Sequence, residues 1–196
     1  TQYAKSQPGV RVIEVQHHWA HVASVLAEHG LAGPVIGIVC DGTGYGADGA
    51  IWGCECLIAS LTEFKRFAHL AYYPLAGGDK AGKEAVRPLL GLLRRAYGDD
   101  FHLGEFAWLL ERIESDAGRL RLIDEQIDRR LNTVNTSSLG RVFDAVAAML
   151  GLGGYNHFDA QLPMALESLV APDIDDRYGY DLRLAGDEPF PLNLGR

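Results

Sequence analysis

The sequence is poor in the features that mark several protein classes. Three of its 196 residues are cysteine, Cys40, Cys54 and Cys56. An odd, sparse count gives no disulfide framework. A single Cys-x-Cys pair is no zinc knuckle, and two half-buried thiols on one strand face are the simpler reading. Unpaired thiols suit a reducing compartment, so a cytoplasmic setting is expected. No apolar run approaches the ~18–20 residues that span a bilayer. The first residues, Thr-Gln-Tyr-Ala-Lys-Ser, lack a signal-peptide core, and no membrane contact is expected. Positive charge is also short. Eighteen basic against 26 acidic residues leave a net charge of −8, which disfavours broad binding to nucleic-acid backbones. No internal repeat or low-complexity tract is present. The chain has no Gly-x-x-x-x-Gly-Lys-Ser/Thr loop, no strand–glycine–helix dinucleotide fingerprint and no Gly-x-Ser-x-Gly elbow.

What is present is an ordinary globular composition, 47% hydrophobic and 22% charged. Gly9–Gln16 alternates apolar and polar residues and predicts a strand. A helix is expected over 17–29, with Trp19, Val22, Ala23 and Leu26 as its apolar stripe and Gly30 as its stop. Val35–Cys40, Ala50–Ser60 and Phe64–Tyr73 read as three strands in an antiparallel meander. Asp41–Gly49, DGTGYGADG, reads as a tight glycine turn between the first two. The middle predicts helices over 84–97, 103–114, 120–131, 141–150 and 161–170. Between them lie loops at 74–82 and 132–140. Tyr178–Leu184 predicts a further strand. The fold class is therefore α/β, with a helical insertion after the meander.

Three places carry chemistry. His17 and His21 stand four residues apart at the start of the first helix, about 40° apart around its axis. That spacing lets two imidazoles share a metal ion. A solvated polar helix face explains the pair equally well. Asp41, at the end of the next strand, is the candidate third ligand. His18 points about 100° away from His17 and is a candidate substrate contact instead. The glycine segment can cradle phosphate on successive N–H groups, or be a plain hairpin. Lys83 and Arg87, at i and i+4 of a helix start, could share one face and bind an oxyanion; a solvated helix entrance is the alternative. Ser137 or Ser138 could cap the helix that follows, whose N-terminus attracts phosphate or ribose oxygens. Asp144, one turn in, could accept from a ribose hydroxyl.

Four stretches in this order resemble the HypF family, carbamoyltransferases that mature nickel–iron hydrogenases: VQHHWAHVASVLAEHGL, DGTGYGADGAIWGCECL, GGDKAGKEAVRPL and SSLGRVFDAVAAMLGL. The similar region is the family's domain related to tRNA threonylcarbamoyl-transfer proteins, and it covers about Val10 to Leu169. The resemblance implies an actin-like ATPase fold of the sugar-kinase and chaperone superfamily. It implies that residues 1–33 end a first lobe and residues 34–196 begin a second. It implies a divalent metal, iron or zinc, on His17, His21 and Asp41, and nucleotide contacts at Asp41, Gly42, Thr43, Gly44, Tyr45, Gly140 and Asp144. ATP or a carbamoyl-adenylate is the implied ligand, with magnesium accompanying the nucleotide. The implied activity begins from carbamoyl phosphate and ATP and ends with carbamoyl transfer to the C-terminal cysteine of a HypE-like protein.

The family usually shows Tyr-Glu-Gly-Gln where this chain has Phe158-Asp-Ala-Gln161. The family's acylphosphatase-like, zinc-finger and adenylate-forming modules have no counterpart here, nor does its later Asp-Gly-Gly region. A fragment with little turnover of its own is expected. A tRNA threonylcarbamoyl-transfer enzyme remains the alternative, although Asp41-Gly-Thr-Gly44 fits the first family better. A non-catalytic metal- or nucleotide-binding module and a sugar-kinase relative are the other readings. A homodimer through open sheet edges is a further expectation. No catalytic nucleophile or base stands out.

Overall fold

The chain opens with a short helix, α1 (Gln2–Ser6). The structure, a computed structural model, describes residues 2–172 and 189–193. The strand expected at 178–184 lies outside the described residues. Gly9–Gln16 runs on after α1 but is not a strand. It has no ladder partner among the described residues, and Val10, Ile13 and Val15 are exposed. Alternation marks a half-buried strand only where a neighbour supplies hydrogen bonds and cover, and here neither is supplied.

Helix α2 (His17–Glu28) begins where Gln16, in extended conformation, accepts the Trp19 N–H with its side-chain oxygen at 2.9 Å. The helix ends before Gly30, whose φ of 64° favours glycine. Its buried residues are His18, Val22 and Leu26, spaced at i, i+4 and i+8. They face strand β1 (Val35–Tyr45), which pairs antiparallel with β2 (Ile51–Ala59). Val22 and Leu26 join Val39, Leu57 and Ala59 in one small core. Burying each such side chain contributes roughly 1.5–3 kcal/mol.

The meander closes with β3 (Phe64–Leu70), antiparallel to β2. It is followed by a strand the sequence did not suggest, β4 (Tyr73–Ala76). A 3-10 turn at Gly78–Gly82 leads into α3 (Val86–Tyr97). The single helix expected at 103–114 is instead a 3-10 turn at Leu103–Phe106 and one α turn, α4 (Ala107–Leu110). Asp116 then caps α5 (Ala117–Asp128) through the N–H groups of Gly118 and Arg119. A second unexpected strand, β5 (Thr133–Thr136), pairs antiparallel with β4 and touches the start of β2 in parallel. Ser138 caps α6 (Leu139–Met149), and α7 (Gln161–Glu167) packs beside it. Strand β6 (Phe190–Leu192) adds to β3 in parallel. The sheet runs β4-β5-β2-β3-β6, with β1 also on β2.

The larger core sits under α3, α4 and α5, where Val86, Leu89, Leu90, Leu110, Leu120 and Ile123 are buried together. No helix among the described residues is long and apolar enough to cross a membrane.

Candidate functional site

The glycine segment is not the turn its composition suggests. Asp41–Tyr45 continues β1. Cys40 faces Cys54 and Gly44 faces Trp52, so β1 carries two more residues than β2 over this interval. The surplus is a bulge at Asp41–Thr43, and the turn itself lies at Gly46–Gly49, closed by Gly46 N–H to Ala50 O at 3.0 Å. A bulge re-aims a side chain out of the normal strand alternation. Here it directs Asp41 toward α2.

Asp41 Oδ2 lies 3.2 Å from His17 Nε2, and His17 Nε2 lies 3.1 Å from His21 Nε2. One donor atom of each residue falls within 4.8 Å of the other two. Ligands about 2.0–2.2 Å from a tetrahedral ion stand a little over 3 Å apart, so the observed spacings suit one ion. Both histidine rings are exposed, while Asp41 is partly buried. Two imidazole nitrogens and a carboxylate are a borderline donor set that iron or zinc accepts.

His18 is fully buried rather than open to a substrate. Gln16 sets its protonation. The Gln16 amide oxygen is occupied by Trp19 N–H, so its NH2 group faces Tyr45 O at 3.0 Å and His18 Nδ1 at 3.3 Å. Nδ1 is then the acceptor, and the His18 proton sits on Nε2, 3.6 Å from Asp41 Oδ2. Burial pushes the His18 imidazole down to about 4, so it is neutral near pH 7. A contact with a substrate in solution would require uncovering the ring. Gly44 makes room for it, since a Cβ there would fall 2.1 Å from His18 Cε1.

The N-terminus of α6 abuts the bulge. A Cβ on Gly140 would lie 2.8 Å from Gly42 Cα, and Ser138 Oγ donates to Gly42 O. Beneath this contact lies Glu55, fully buried on β2. It accepts from Ser137 Oγ at 2.5 Å, from Gly53 N–H at 3.1 Å and from Arg66 Nε at 2.7 Å. Arg66 also reaches Asp48 and the Tyr72 hydroxyl, and lies 3.9 Å over the Trp52 ring. Burial alone would raise Asp48; hydrogen bonds from Tyr72, Ala50 N–H and Trp52, with Arg66 nearby, outweigh it and hold the carboxyl below its ordinary range. One network thus ties β2, β3 and the loop before α6 to the turn.

The remaining sequence candidates are placed as follows. Gly42, Thr43, Gly44 and Tyr45 lie on the bulge and the end of β1, with Thr43 and Tyr45 exposed. Lys83 is exposed, but Arg87 is turned into the core. Arg87 Nε meets Glu84 Oε2 at 2.6 Å, and Nη1 meets Gln126 Oε1 at 3.2 Å. The helix starts only at Val86, so Lys83 precedes it and the two share no helical face. Asp144 is fully buried and also engaged within the protein. It accepts from Asn156 Nδ2 at 2.8 Å, and Oδ2 lies 2.8 Å from Arg141 Nε in an ion pair not aligned as a hydrogen bond. Burial pushes its carboxyl up, against the pull of Asn156 and Arg141. A ribose contact through Asp144 would have to displace these partners.

Gln16, Glu55, Arg141 and Asn156 escaped sequence reading. Arg141 carried a usable signal, as the third residue of a helix that follows Ser-Ser-Leu-Gly. Glu55 stood only within the DGTGYGADGAIWGCECL stretch of the resemblance, with no role attached, because a lone acid in a strand has no spacing to suggest one.

Comparison with known proteins identifies the family. Residues 37–192 match the family described as carbamoyltransferase, Kae1-like domain, second subdomain. The chain belongs to the HypF Kae1-like carbamoyltransferase-domain family. Residues 1–28 also match the HypF Kae1-like domain. Carbamoyltransferase HypF of Synechocystis sp. is 38% identical over 201 residues, covering 95% of this chain and 25% of that protein. A carbamoyltransferase HypF homolog of Cupriavidus necator is 39% identical over 165 residues, covering 83% of this chain and 40% of its own length. The crystal structure of full-length HypF in its phosphate- and nucleotide-bound form superposes with a TM-score of 0.84 at 43% identity, over 98% of this chain and 24% of that one. The structure of T. kodakarensis HypF gives 0.75 at 35% identity, over 88% and 24%. The chain spans about a quarter of the length of most of these HypF relatives, and its mixed α/β fold is that of their Kae1-like domains.

Proposed function

We propose that this chain contributes the carbamoyl-transfer centre of a HypF-type enzyme of hydrogenase maturation. The reaction takes a carbamoyl-adenylate, made from carbamoyl phosphate and ATP, and passes the carbamoyl group to the C-terminal cysteine thiol of a HypE-like protein, forming an S-carbamoyl thioester as the carbamoyl–phosphate bond breaks and AMP leaves. The observation that carries the reading is the convergence of His17, His21 and Asp41 beside a glycine bulge that abuts a helix N-terminus. Family membership and the nucleotide-bound relative add support. The reading includes an actin-like ATPase fold, with residues 1–33 ending one lobe and residues 34–196 beginning the next.

His17, His21 and Asp41 would hold a divalent iron or zinc. Such a metal supplies Lewis-acid polarisation of a carbonyl or phosphoryl oxygen. The chain's own residues prepare that centre. Gln16 and His18 keep a neutral N–H beside Asp41. Glu55, through Ser137, and Ser138 fix the start of α6, with Gly140 against Gly42. The start of α6, beside the Gly42–Thr43 bulge, presents N–H groups where phosphate oxygens of the adenylate would sit, with magnesium accompanying bound ATP. Three cysteines that remain thiols fit a cytoplasmic setting. Exposed Ile36 and Ile38 on β1 would suit a homodimer contact.

The test is elemental analysis after loading with iron or zinc. The wild-type chain should carry close to one equivalent, and the His17→Ala, His21→Ala double variant should carry none. Equal metal in both proteins would remove the centre from these residues.

A further inference from the structure

Arg141 lies near the bulge, and the proposed function leaves its position unexplained. Its side chain is 9% exposed, on the first turn of α6. Burying a guanidinium costs several kcal/mol unless its N–H groups find acceptors. Only Nε faces a partner, Asp144, and that pair is misaligned for hydrogen bonding. Among the described residues neither terminal nitrogen has an acceptor.

Those two nitrogens sit between glycines. Nη2 lies 3.7 Å from where a Gly42 Cβ would be, and Nη1 lies 2.8 Å from where a Gly82 Cβ would be. The guanidinium therefore bridges the bulge next to Asp41 and the glycine loop before α3, with no side chain in its way. Asn156 holds this arrangement from behind, donating to both Gly82 O and Asp144 Oδ1. The start of α6 adds its partial positive charge on the same side. Ser138 takes the Arg141 N–H, and the preceding N–H groups have no intrahelical acceptor.

We propose that Arg141 is a phosphoryl-oxygen contact of this site, with Asp144 and Asn156 as positioning residues that hold its fork between Gly42 and Gly82. The inference rests on the nucleotide reading above and deepens it. The ligand chemistry is a phosphoryl oxyanion, carried by a nucleotide or by a free phosphate such as carbamoyl phosphate. A planar, bidentate guanidinium suits that group better than a lysine does.

The experiment is calorimetric titration of the chain with ATP, AMP, adenosine and inorganic phosphate. It compares the wild type with Arg141→Lys and with the Arg141→Gln, Asp144→Asn double variant. The double variant removes both charges together, so no buried carboxylate is stranded, and circular dichroism confirms that it folds. The double variant should bind ATP and AMP about 10- to 100-fold more weakly, the loss expected for charge-assisted hydrogen bonds, with adenosine unchanged within about twofold. Arg141→Lys should recover part of the loss. Phosphate binding that also depends on Arg141 identifies the free anion as a ligand; dependence for nucleotides alone identifies the nucleotide. An ATP-to-adenosine ratio unmoved by the double variant overturns the assignment. Equal loss of ATP and adenosine overturns it too, because it shows a merely structural role. Binding by the wild type with no effect of Arg141 leaves the nucleotide reading standing, whereas no binding of any ligand by the wild type overturns both.

Discussion

Gly44→Ala is the sharpest probe of how the site is built. The added Cβ would lie 2.1 Å from His18 Cε1, 2.8 Å from His18 Nε2 and 3.0 Å from His17 Cδ2. Ordinary contact begins near 3.4 Å, so the His18 ring must move by more than an ångström. It has nowhere to go, being fully buried against Trp52 with its Nδ1 on Gln16. Overpacking of this kind costs about 1–3 kcal/mol, and a lost hydrogen bond adds about 1 kcal/mol. A total near 2–4 kcal/mol corresponds to a fall in Tm of roughly 5–15 °C for a chain of this size. Gly104→Ala is the control, since a Cβ there meets nothing within 4 Å. The assay is thermal unfolding by circular dichroism, with a cobalt titration read from its visible absorption. Gly44→Ala should lower Tm, Gly104→Ala should not, and only the first should weaken cobalt binding, by about 10- to 100-fold. Equal melting and equal cobalt affinity of the two variants would refute the close-approach argument.

Two further outcomes follow from the buried charges. Glu55→Ala leaves the Arg66 guanidinium, whose side chain is 10% exposed, with only Asp48 and the Tyr72 hydroxyl as partners, and should cost about 3 kcal/mol in urea unfolding, the lower end for a broken buried pair. The Glu55→Ala, Arg66→Met pair should cost less than the sum of its single variants, and strict additivity would contradict the coupling. Stability should also fall on acidification. Burial holds the His69 imidazole below its ordinary value, and hydrogen bonds and arginines hold Asp48 and Glu84 below theirs despite burial. The unfolded chain therefore binds more protons, first below about pH 6.5 at His69 and then below about pH 4.5 at the carboxylates. Asp144, raised by burial, works in the opposite sense. A urea midpoint that rises from pH 7 to pH 4 would reverse this sign.

What could be read from the sequence was what depends on near neighbours. Periodicity found α2, α3, α5 and α6, since a 3.6-residue repeat is written locally. Its phase was harder to fix. Counting α2 from Trp19 placed the stripe on Trp19, Val22, Ala23 and Leu26, while the helix buries His18, Val22 and Leu26. The polar His18 was left out because much of what surrounds it, Asp41 and Trp52, is distant in the chain, and only Gln16 is a near neighbour. Strands β4 and β5 were invisible for a related reason. Each has four residues, and each exists through pairing with the other across more than fifty positions. Gly9–Gln16 failed in the opposite direction, with strand alternation and no strand beside it.

The candidate site divides along the same line. His17 and His21 were legible because a helix fixes the angle between residues four apart. Asp41 could be nominated but not placed, since its direction comes from two surplus residues in a ladder whose register is set by β2. The approach of α2 to β1 is also encoded at a distance. A Cβ on Gly37 would lie 2.4 Å from Val22 Cγ2, so a glycine four positions before Asp41 lets the helix settle onto the strand. Were that gap wider, the 3.2 Å separation of His17 and Asp41 would open with it. The glycines of this chain thus act less as hinges than as absences of side chain. Gly37 admits α2, Gly44 admits His18, and Gly42 with Gly140 admits the start of α6. Such absences have no periodicity and no charge, and they become readable only once the elements that fill them are known.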